Sequence, residues 1–393
     1  MIHVGVVFGS RTVEHEISVI TAVQAMHAMT SLTGYKVVPL YIDKNGDWFT
    51  GDNLLEISNY KDLDQLRKDA TAIHIVRQGK EVVLLQNPIP TFGKAVVSRL
   101  DVVLPILHGT HGEDGTIQGF FETLQVPYGG CSVFSAALTM DKIACKHVLE
   151  AHGIPVVEGL GFSAEDWLHE PEDVLAKIEK RFTFPLIVKP SDTGSSVGVS
   201  VAKDRLSLEE SIENCRSFTN RILVERMVQD MREINISVLG DAEDLQVSVI
   251  EEPISGDEFL SYEDKYVSGG SKSKSSGMAS TKRIIPAQVS DDMRRQVEQV
   301  AAAAFRAVDA SGVCRLDFMI DGVSGDLFLN ELNTIPGSLS FYLWEPSGVT
   351  FDQLMKTLVD LALRKDRRKN RISYSNSLNL LAGDLKIGGG KTK

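Results

Sequence analysis

The chain has 393 residues, 43% hydrophobic and 24% charged, with a formal net charge of −12; these values suit a globular protein of two or three domains and exclude a disordered or fibrous one. The acidic balance argues against nucleic acid as a bulk partner, and no apolar run reaches the ~18 residues a membrane span needs. Cys131, Cys145, Cys215 and Cys314 form neither a CxxC pair nor a disulfide framework, and no basic leader precedes the first strand, so a soluble cytoplasmic protein is expected.

Ile2 to Phe8 reads as a buried strand, Glu16 to Met29 as a helix with apolar residues at Ile17, Ile20 and Val23, and Tyr35 to Asp43 as the next strand. This β-α-β opening predicts a parallel, doubly wound sheet that takes ligands at its strand C-termini. Glu14, His15 and Glu16 fall at such an end, where acidic residues also suit a helix N-terminus on electrostatic grounds alone. Residues 50 to 98 read as scaffold: a charged, helical segment, then strand-like Ala72 to Val76 and Glu81 to Leu85. Val102 to Leu107 is a buried strand running into His108 to Gly119, whose glycines at 109, 112, 115 and 119 allow backbone to approach a ligand ahead of a helix near Phe120 to Leu124. His108 and His111 lack a third ligand at zinc spacing, which leaves a substrate-side role or helix capping.

Val133 to His152 is expected as one helix with Lys142 and Lys146 a turn apart on one face, and Ile154 to Val156 as the start of a strand. The strand Phe184 to Pro190 carries Lys189 into the small, hydroxyl-rich loop Ser191 to Val199, which suits phosphate binding through backbone N–H groups although no Walker A motif is present. Ile222 to Glu225 ends in a carboxylate, and Glu233 precedes the strand Ile234 to Leu239. Such carboxylates can accept from a ribose hydroxyl or sit beside an adenine amino group, and either glutamate can equally be a surface charge. Residues 261 to 283, rich in Gly, Ser and Lys, read as a lid or as disorder.

After an amphipathic helix, Asp291 to Val308, two β-rich runs, Val313 to Ile320 and Leu327 to Leu332, flank a polar turn and should pair antiparallel. Strand alternation then puts Asp317, Glu331 and Asn333 on one face. Two carboxylates ~4 Å apart repel by about 4 kcal/mol at an effective dielectric of 20, so the cluster calls for a counter-charge. Mg²⁺ fits two carboxylates and an amide oxygen, and Arg315 beside them suits a developing phosphoryl or oxyanion charge. Phe351 to Leu363 closes the chain as a helix whose basic end, Arg364 to Lys369, complements the helix C-terminus, and Gly388 to Lys393 reads as a frayed tail.

In this order, Glu14-His15-Glu16-Ile17-Ser18, His108 to Gly119, Met140-Asp141-Lys142, Val188-Lys189-Pro190 with Gly194 to Gly198, Arg315-Leu316-Asp317 and Asn330 to Gly337 make the chain similar, from Val4 to about Arg364, to the D-alanine–D-alanine ligase family of ATP-grasp enzymes. The resemblance implies an α/β chain: an N-terminal doubly wound α/β (pre-ATP-grasp) domain over 1–130, then a two-part ATP-grasp α+β fold. That fold comprises a central subdomain over 131–228 and a C-terminal domain over 229–372 with its lid at 261–283; a poorly ordered tail fills 373–393. ATP, D-alanine and two Mg²⁺ (or Mn²⁺) ions are implied as ligands and a homodimer as the assembly, with no nucleic acid or membrane partner.

By the same resemblance Lys146 and Lys189 contact ATP phosphates, Glu225 and Glu233 the adenosine, and Lys265 the phosphates from the lid. Asp317, Glu331 and Asn333 hold the metal ions. Arg315 and the Gly337 N–H stabilise the tetrahedral oxyanion, Glu14, Ser195 and Tyr266 form the hydrogen-bonded trio joining lid to substrate, and His108 is the substrate-side histidine. The implied product is D-Ala-D-Ala, a peptidoglycan precursor, made through an acylphosphate. Two regions depart from the family pattern: the Ser/Lys-rich stretch Ser271 to Ser276, and Ser338 to Trp344, which is shorter than the usual segment for the second substrate's carboxylate and leaves Ser338 and Ser340 for that task. They make D-lactate, D-serine or another amine an alternative second substrate; a non-catalytic ATP-binding regulator is the alternative outside enzymes.

Overall fold

The computed structural model describes residues 1–194, 197–254 and 283–373. Ser195, Lys265, Tyr266, the stretch Ser271 to Ser276 and the tail beyond Ser373 lie outside these residues.

The first sheet takes strands β1 (Ile2–Gly9), β2 (Tyr35–Ile42), β3 (Trp48–Thr50), β4 (Thr71–Gln78), β5 (Glu81–Gln86), β6 (Val96–Leu100) and β7 (Val102–Pro105), in the order β6-β5-β4-β3-β2-β1-β7. Helix α1 (His15–Met29) crosses from β1 to β2, and only β2, β1 and β7 pair parallel. The other pairings are antiparallel, and the turns between β2 and β3 and between β4 and β5 are too short for a crossover. The doubly wound part is therefore confined to these three strands. It is apolar on both faces: Val4, Val6 and Phe8 pack with Val19 and Met26 of α1, and Val7 and Leu40 pack with Ile117 and Phe121 of a later helix.

Helix α2 (Leu63–Asp69) belongs to the scaffold segment, and α3 (Thr116–Leu124) follows the glycine-rich loop. The single helix expected over 133–152 is two, α4 (Val133–Met140) and α5 (Lys142–Ala151). Asp141 between them is extended, with φ −85° and ψ 102°, and its carboxylate accepts from the Ala144 N–H at 2.9 Å and the Ser191 hydroxyl at 2.7 Å. A capping aspartate interrupts a helix in this way, and here the break docks the start of α5 onto the loop after Lys189. The strand expected at Ile154 to Val156 reduces to one isolated bridge, Val156 to Leu329.

The second sheet, all antiparallel, contains β8 (Gly159–Ser163), β9 (Leu186–Pro190), β10 (Ser200–Ala202) and β11 (Arg221–Arg226) in the order β10-β9-β11-β8. Helices α6 (Ala164–His169), α7 (Pro171–Arg181) and α8 (Arg205–Cys215) accompany it, and Ile178, Leu208 and Ile212 pack on Val188 and Val224.

The third sheet runs β14-β13-β12-β15-β16, with β12 (Arg232–Gly240), β13 (Leu245–Pro253), β14 (Arg283–Ile284), β15 (Gly312–Ile320) and β16 (Leu327–Asn333). Helix α9 (Asp291–Ala307) covers it through Val297, Ala301 and Phe305. A short α10 (Phe341–Trp344) leads to α11 (Phe351–Lys369), whose Leu354, Met355 and Val359 return to the core of the first sheet. The basic run at its end is part of the helix and bonds outward: Arg364 and Arg368 reach Asp241, each at 3.3 Å, and Lys369 pairs with Glu122.

Gly312 holds the joint between the first and third sheets. Its φ is +90°, and a Cβ built there meets the Cα of Gly130 at 2.8 Å. Backbone cannot yield as a side-chain tip can, and an L-residue is strained at that φ. Gly312→Ala is expected to lower unfolding free energy by about 2 kcal/mol or more in urea denaturation followed by far-UV circular dichroism; an unchanged midpoint contradicts this account of the joint.

Candidate active site

A cavity of about 470 Å³ lies where the second and third sheets meet the loops of the first. One wall is the hairpin β15–β16, whose register pairs Arg315 with Asn333 and Asp317 with Glu331. The expected shared face is thus present. Arg315 clamps Asp317 with both arms, Nε to Oδ1 at 2.6 Å and Nη2 to Oδ2 at 2.7 Å, and Asn333 Nδ2 donates to Asp317 Oδ2 at 2.9 Å. The row continues across the sheet, since Asn235 on β12 pairs with Asp317 on one side and Glu251 of β13 on the other.

The opposite wall carries two lysines on one carboxylate. Lys189 on β9 and Lys146 on α5 grip one carboxylate: Glu225 Oε2 is 2.6 Å from Lys189 Nζ, and Oε1 is 2.5 Å from Lys146 Nζ. Burial by itself raises the Glu225 carboxyl, but the two ammonium groups outweigh it and hold the group below its ordinary value. Burial lowers the Lys146 ammonium. Lys189 also donates to Asn330 Oδ1 at 3.3 Å, bringing β9 against β16. Lys189, Glu225 and Glu233 line the cavity; Lys146 stands behind Glu225 and bonds the Val157 carbonyl at 2.9 Å. Lys142, on the same helix face, donates instead to the Thr193 carbonyl at 2.7 Å.

The floor comes from the first sheet. Glu14, at the turn before α1, fits against two glycines: a Cβ on Gly109 meets Glu14 Oε2 at 2.5 Å, and one on Gly194 meets it at 3.5 Å. Glu14 therefore borders the loop that leads to Ser195. Among the loop glycines, Gly112 accommodates protein rather than ligand, as a Cβ there meets the Leu107 carbonyl oxygen at 2.6 Å. His108 is buried, with Nε2 3.1 Å from Thr21 Oγ1 and a bond to the Ile335 backbone. Burial pushes its pKa down to about 4, with Arg315 adding to the effect, so the ring is neutral at pH 7. Thr21 Oγ1 accepts from the Ser338 N–H at 3.0 Å and so turns its own proton toward His108 Nε2.

Ser338 and Ser340 do not line the cavity. They are 1% and 0% exposed, and with Leu339 they form three successive left-handed residues, φ 52°, 50° and 51°, curled onto α1. Such backbone costs roughly 1–2 kcal/mol per residue and persists here because Leu339 is buried in the first core and its N–H reaches the Pro336 carbonyl at 2.8 Å. Gly337, just before the curl, does face the cavity.

Four residues with no role in the sequence reading belong to the site. Arg283 pairs with Glu251 at 3.0 Å, Tyr342 donates its hydroxyl to Glu251 at 3.0 Å, and Glu113 accepts N–H bonds from Gly109 at 2.9 Å and Ile335 at 3.1 Å. Glu113 lay inside the glycine-rich stretch, so its acidity among glycines was the available signal; Arg283 ends the stretch read as a lid and Tyr342 lies within Ser338 to Trp344, but Glu251 lies in neither. Burial and then the nearby Glu14 push the Glu113 pKa up to about 8 from 4.5. A carboxyl raised in the folded state stabilises the fold fully below the unfolded value and loses that contribution as pH rises through the folded one. Wild type is therefore expected to lose unfolding free energy relative to Glu113→Gln between about pH 4.5 and pH 8, measured by urea titration at several pH values; a pH-independent difference contradicts the assignment.

A family model described as D-ala D-ala ligase N-terminus matches residues 3–131, and one described as D-ala D-ala ligase C-terminus matches 148–360. The D-alanine–D-alanine ligase of Thermosipho melanesiensis is 36% identical over 96% of this chain and 98% of its own length, and that of Thermosipho africanus is 37% identical over 98% and 100%. Among solved structures, the D-alanine–D-alanine ligase of Coxiella burnetii has a TM-score of 0.76 at 28% identity, covering 94% of this chain and 98% of that one. The VanG D-Ala:D-Ser ligase of Enterococcus faecalis has a TM-score of 0.77 at 27% identity, covering 92% and 99%. The architecture is accordingly the ATP-grasp fold, and by both family models and full-length relatives the chain belongs to the D-alanine–D-alanine ligase family.

Proposed function

We propose that the protein joins two D-alanine molecules at the expense of ATP, giving D-Ala-D-Ala for peptidoglycan precursors. The observation that carries the reading is the opposition, across one cavity, of the Lys189–Glu225–Lys146 group and the Arg315, Asp317, Glu331 and Asn333 face. The first suits nucleotide phosphates, with Glu225 and Glu233 toward the adenosine. The second suits the metal: Asp317, Glu331 and the Asn333 amide oxygen are hard donors lining the cavity. Mg²⁺ bound there neutralises phosphoryl charge during transfer.

In this reading the first D-alanine's carboxylate oxygen attacks the γ-phosphorus and ADP leaves. The amine of the second attacks the acylphosphate carbonyl, loses its proton and expels phosphate. Arg315, always charged and fixed in direction by its two bonds to Asp317, meets the oxyanion with the Gly337 N–H in this reading. Neutral His108, tied through Thr21 to the turn after Gly337, sets that turn against the first sheet. Glu14 orders the neighbouring loop, with Ser195 and Tyr266 as its proposed partners and Lys265 as the lid's phosphate contact. Two ions of Mg²⁺ or Mn²⁺, a homodimer and a cytoplasmic location are carried over from the family.

One observation favours a second reading, in which the acceptor is D-serine or D-lactate: neither Ser338 nor Ser340 lines the cavity, and a structural neighbour is a D-Ala:D-Ser ligase. Phosphate release from Mg-ATP across a panel of D- and L-amino acids and hydroxy acids, with mass spectrometry of the products, separates the two. D-alanine alone is expected to suffice; release only with a mixed pair moves the acceptor, and no release with any pair removes the ligase reading. In the same assay Arg315→Met is expected to lower kcat roughly 10²–10³-fold, the size typical of losing one oxyanion donor, and Lys189→Ala to raise the KM for ATP more than that for D-alanine. Unchanged kcat in the first or an unchanged KM for ATP in the second contradicts the corresponding role.

A further inference from the structure

We infer that Cys131 and Cys314 are a redox-active dithiol: a peroxide joins their sulfurs in a disulfide across the joint between the first and third sheets, and the new bond slows ligation by displacing Arg315. The effect on ligation rests on the dipeptide-ligase reading above; the thiol chemistry does not. Cys131 follows Gly130 in the loop before α4, and Cys314 is on β15. Both side chains are buried, and their Sγ atoms are 3.8 Å apart. The backbones also touch here, since a Cβ on Gly312 meets the Gly130 Cα at 2.8 Å. A disulfide is about 2.0 Å long, so the sulfurs have about 1.8 Å to close. Cys145 and Cys215 have no thiol against them among the described residues, and burial pushes each up to about 12.

The two thiols are unlike. The hydrogen bond between them holds Cys131 below its ordinary value against the effect of burial, with the Lys365 charge acting in the same direction, while the same bond and burial raise Cys314. The Lys365 ammonium is 3.5 Å from the Gly130 carbonyl and 4.5 Å over the Tyr128 ring, and it has no carboxylate partner among the described residues. A thiolate at Cys131 supplies the missing anion, although in the neutral state Cys131 donates to the Ser311 carbonyl at 3.5 Å. Cys131 is therefore the attacking sulfur and Cys314 the resolving one. An oxidant has a place to stand: Cys131 lines a cavity of about 30 Å³, where one water needs ~10–15 Å³. Gln118 lines it too, and its buried Oε1 has no hydrogen-bond partner among the described residues and can accept from a peroxide O–H. The Cys131 thiolate attacks one oxygen of hydrogen peroxide, and the other leaves as hydroxide and is protonated to water. Cys314 then attacks the sulfenic sulfur, gives up its proton and expels the second oxygen as water, so that two thiols and one peroxide become one disulfide and two waters. Strand alternation puts Cys314 on the core side of β15 and Arg315 on the cavity side, so a pull on Cys314 reaches Arg315 through one peptide unit.

The test treats reduced full-length protein with hydrogen peroxide, blocks the remaining thiols with an alkylating agent under denaturing conditions, and maps the peptides by mass spectrometry. The expected product is a Cys131–Cys314 cross-linked peptide that dithiothreitol separates, with Cys145 and Cys215 fully alkylated. Parallel samples are assayed for ADP release with Mg-ATP and D-alanine. Their kcat is expected to fall roughly tenfold or more and to return with dithiothreitol, since misplacing a catalytic group by an ångström can cost about 10²-fold. Cys131→Ala is expected to abolish both the cross-link and the loss of kcat, and Cys215→Ala to leave both. The mapping needs no variant, so a Cys131→Ala protein that does not fold leaves the test intact. Cys131 and Cys314 that stay alkylatable, a Cys131 that stops at the sulfinic acid, or a different cysteine pair overturns the dithiol. A cross-link with unchanged kcat overturns the coupling to Arg315. Reduced protein that ligates nothing removes the functional reading and the effect on ligation with it, and the mapping still decides the thiol chemistry.

Discussion

A buried salt bridge organises the site: Arg315 on Asp317, side chains 13% and 6% exposed, in the centre of an antiparallel sheet. Two charges removed from water survive only with close geometry and further hydrogen bonds, and deleting one partner of such a pair costs about 3–5 kcal/mol. Here both arms of the guanidinium are used and Asn333 serves the carboxylate. Both neighbouring strands present polar groups to the pair, Asn235 of β12 on one side and Glu331 and Asn333 of β16 on the other, with Glu251 of β13 one strand further.

The same principle recurs across the cavity with the sign reversed. One carboxylate, Glu225, is shared by two ammonium groups, and burial by itself lowers the Lys146 ammonium. The arrangement fixes the Lys189 side chain, which through Asn330 ties the second sheet to the third.

The third contributor is a neutral hydrogen-bond chain rather than a charge. Ser338 N–H to Thr21 to His108, together with Glu113 bonded to Ile335, fastens the turn after Gly337 to the first sheet. Burial keeps the histidine deprotonated and lets one hydroxyl serve both neighbours. Three left-handed residues are the conformational consequence, and they carry both serines out of the cavity.

Much of this was legible in the residues. Period-two alternation is local, so Asp317, Glu331 and Asn333 could be placed on one face from spacing alone, and apolar runs marked most strands within a residue or two. The helix break at Asp141 was not legible, because a capping aspartate looks like any other polar helix position until Ser191 is seen against it. Nor was the antiparallel part of the first sheet, where short turns overrule the β-α-β opening. The sequence by itself determined which residue types are available for phosphate, metal and oxyanion, and on which local face each stands. Only the tertiary structure decided that Lys146 stands behind Glu225, that Ser338 and Ser340 are buried off the cavity lining, and that Glu113, Glu251, Arg283 and Tyr342 join the site. These depend on contacts between segments far apart in the chain, where burial and charge pairing, rather than spacing, decide what a side chain meets.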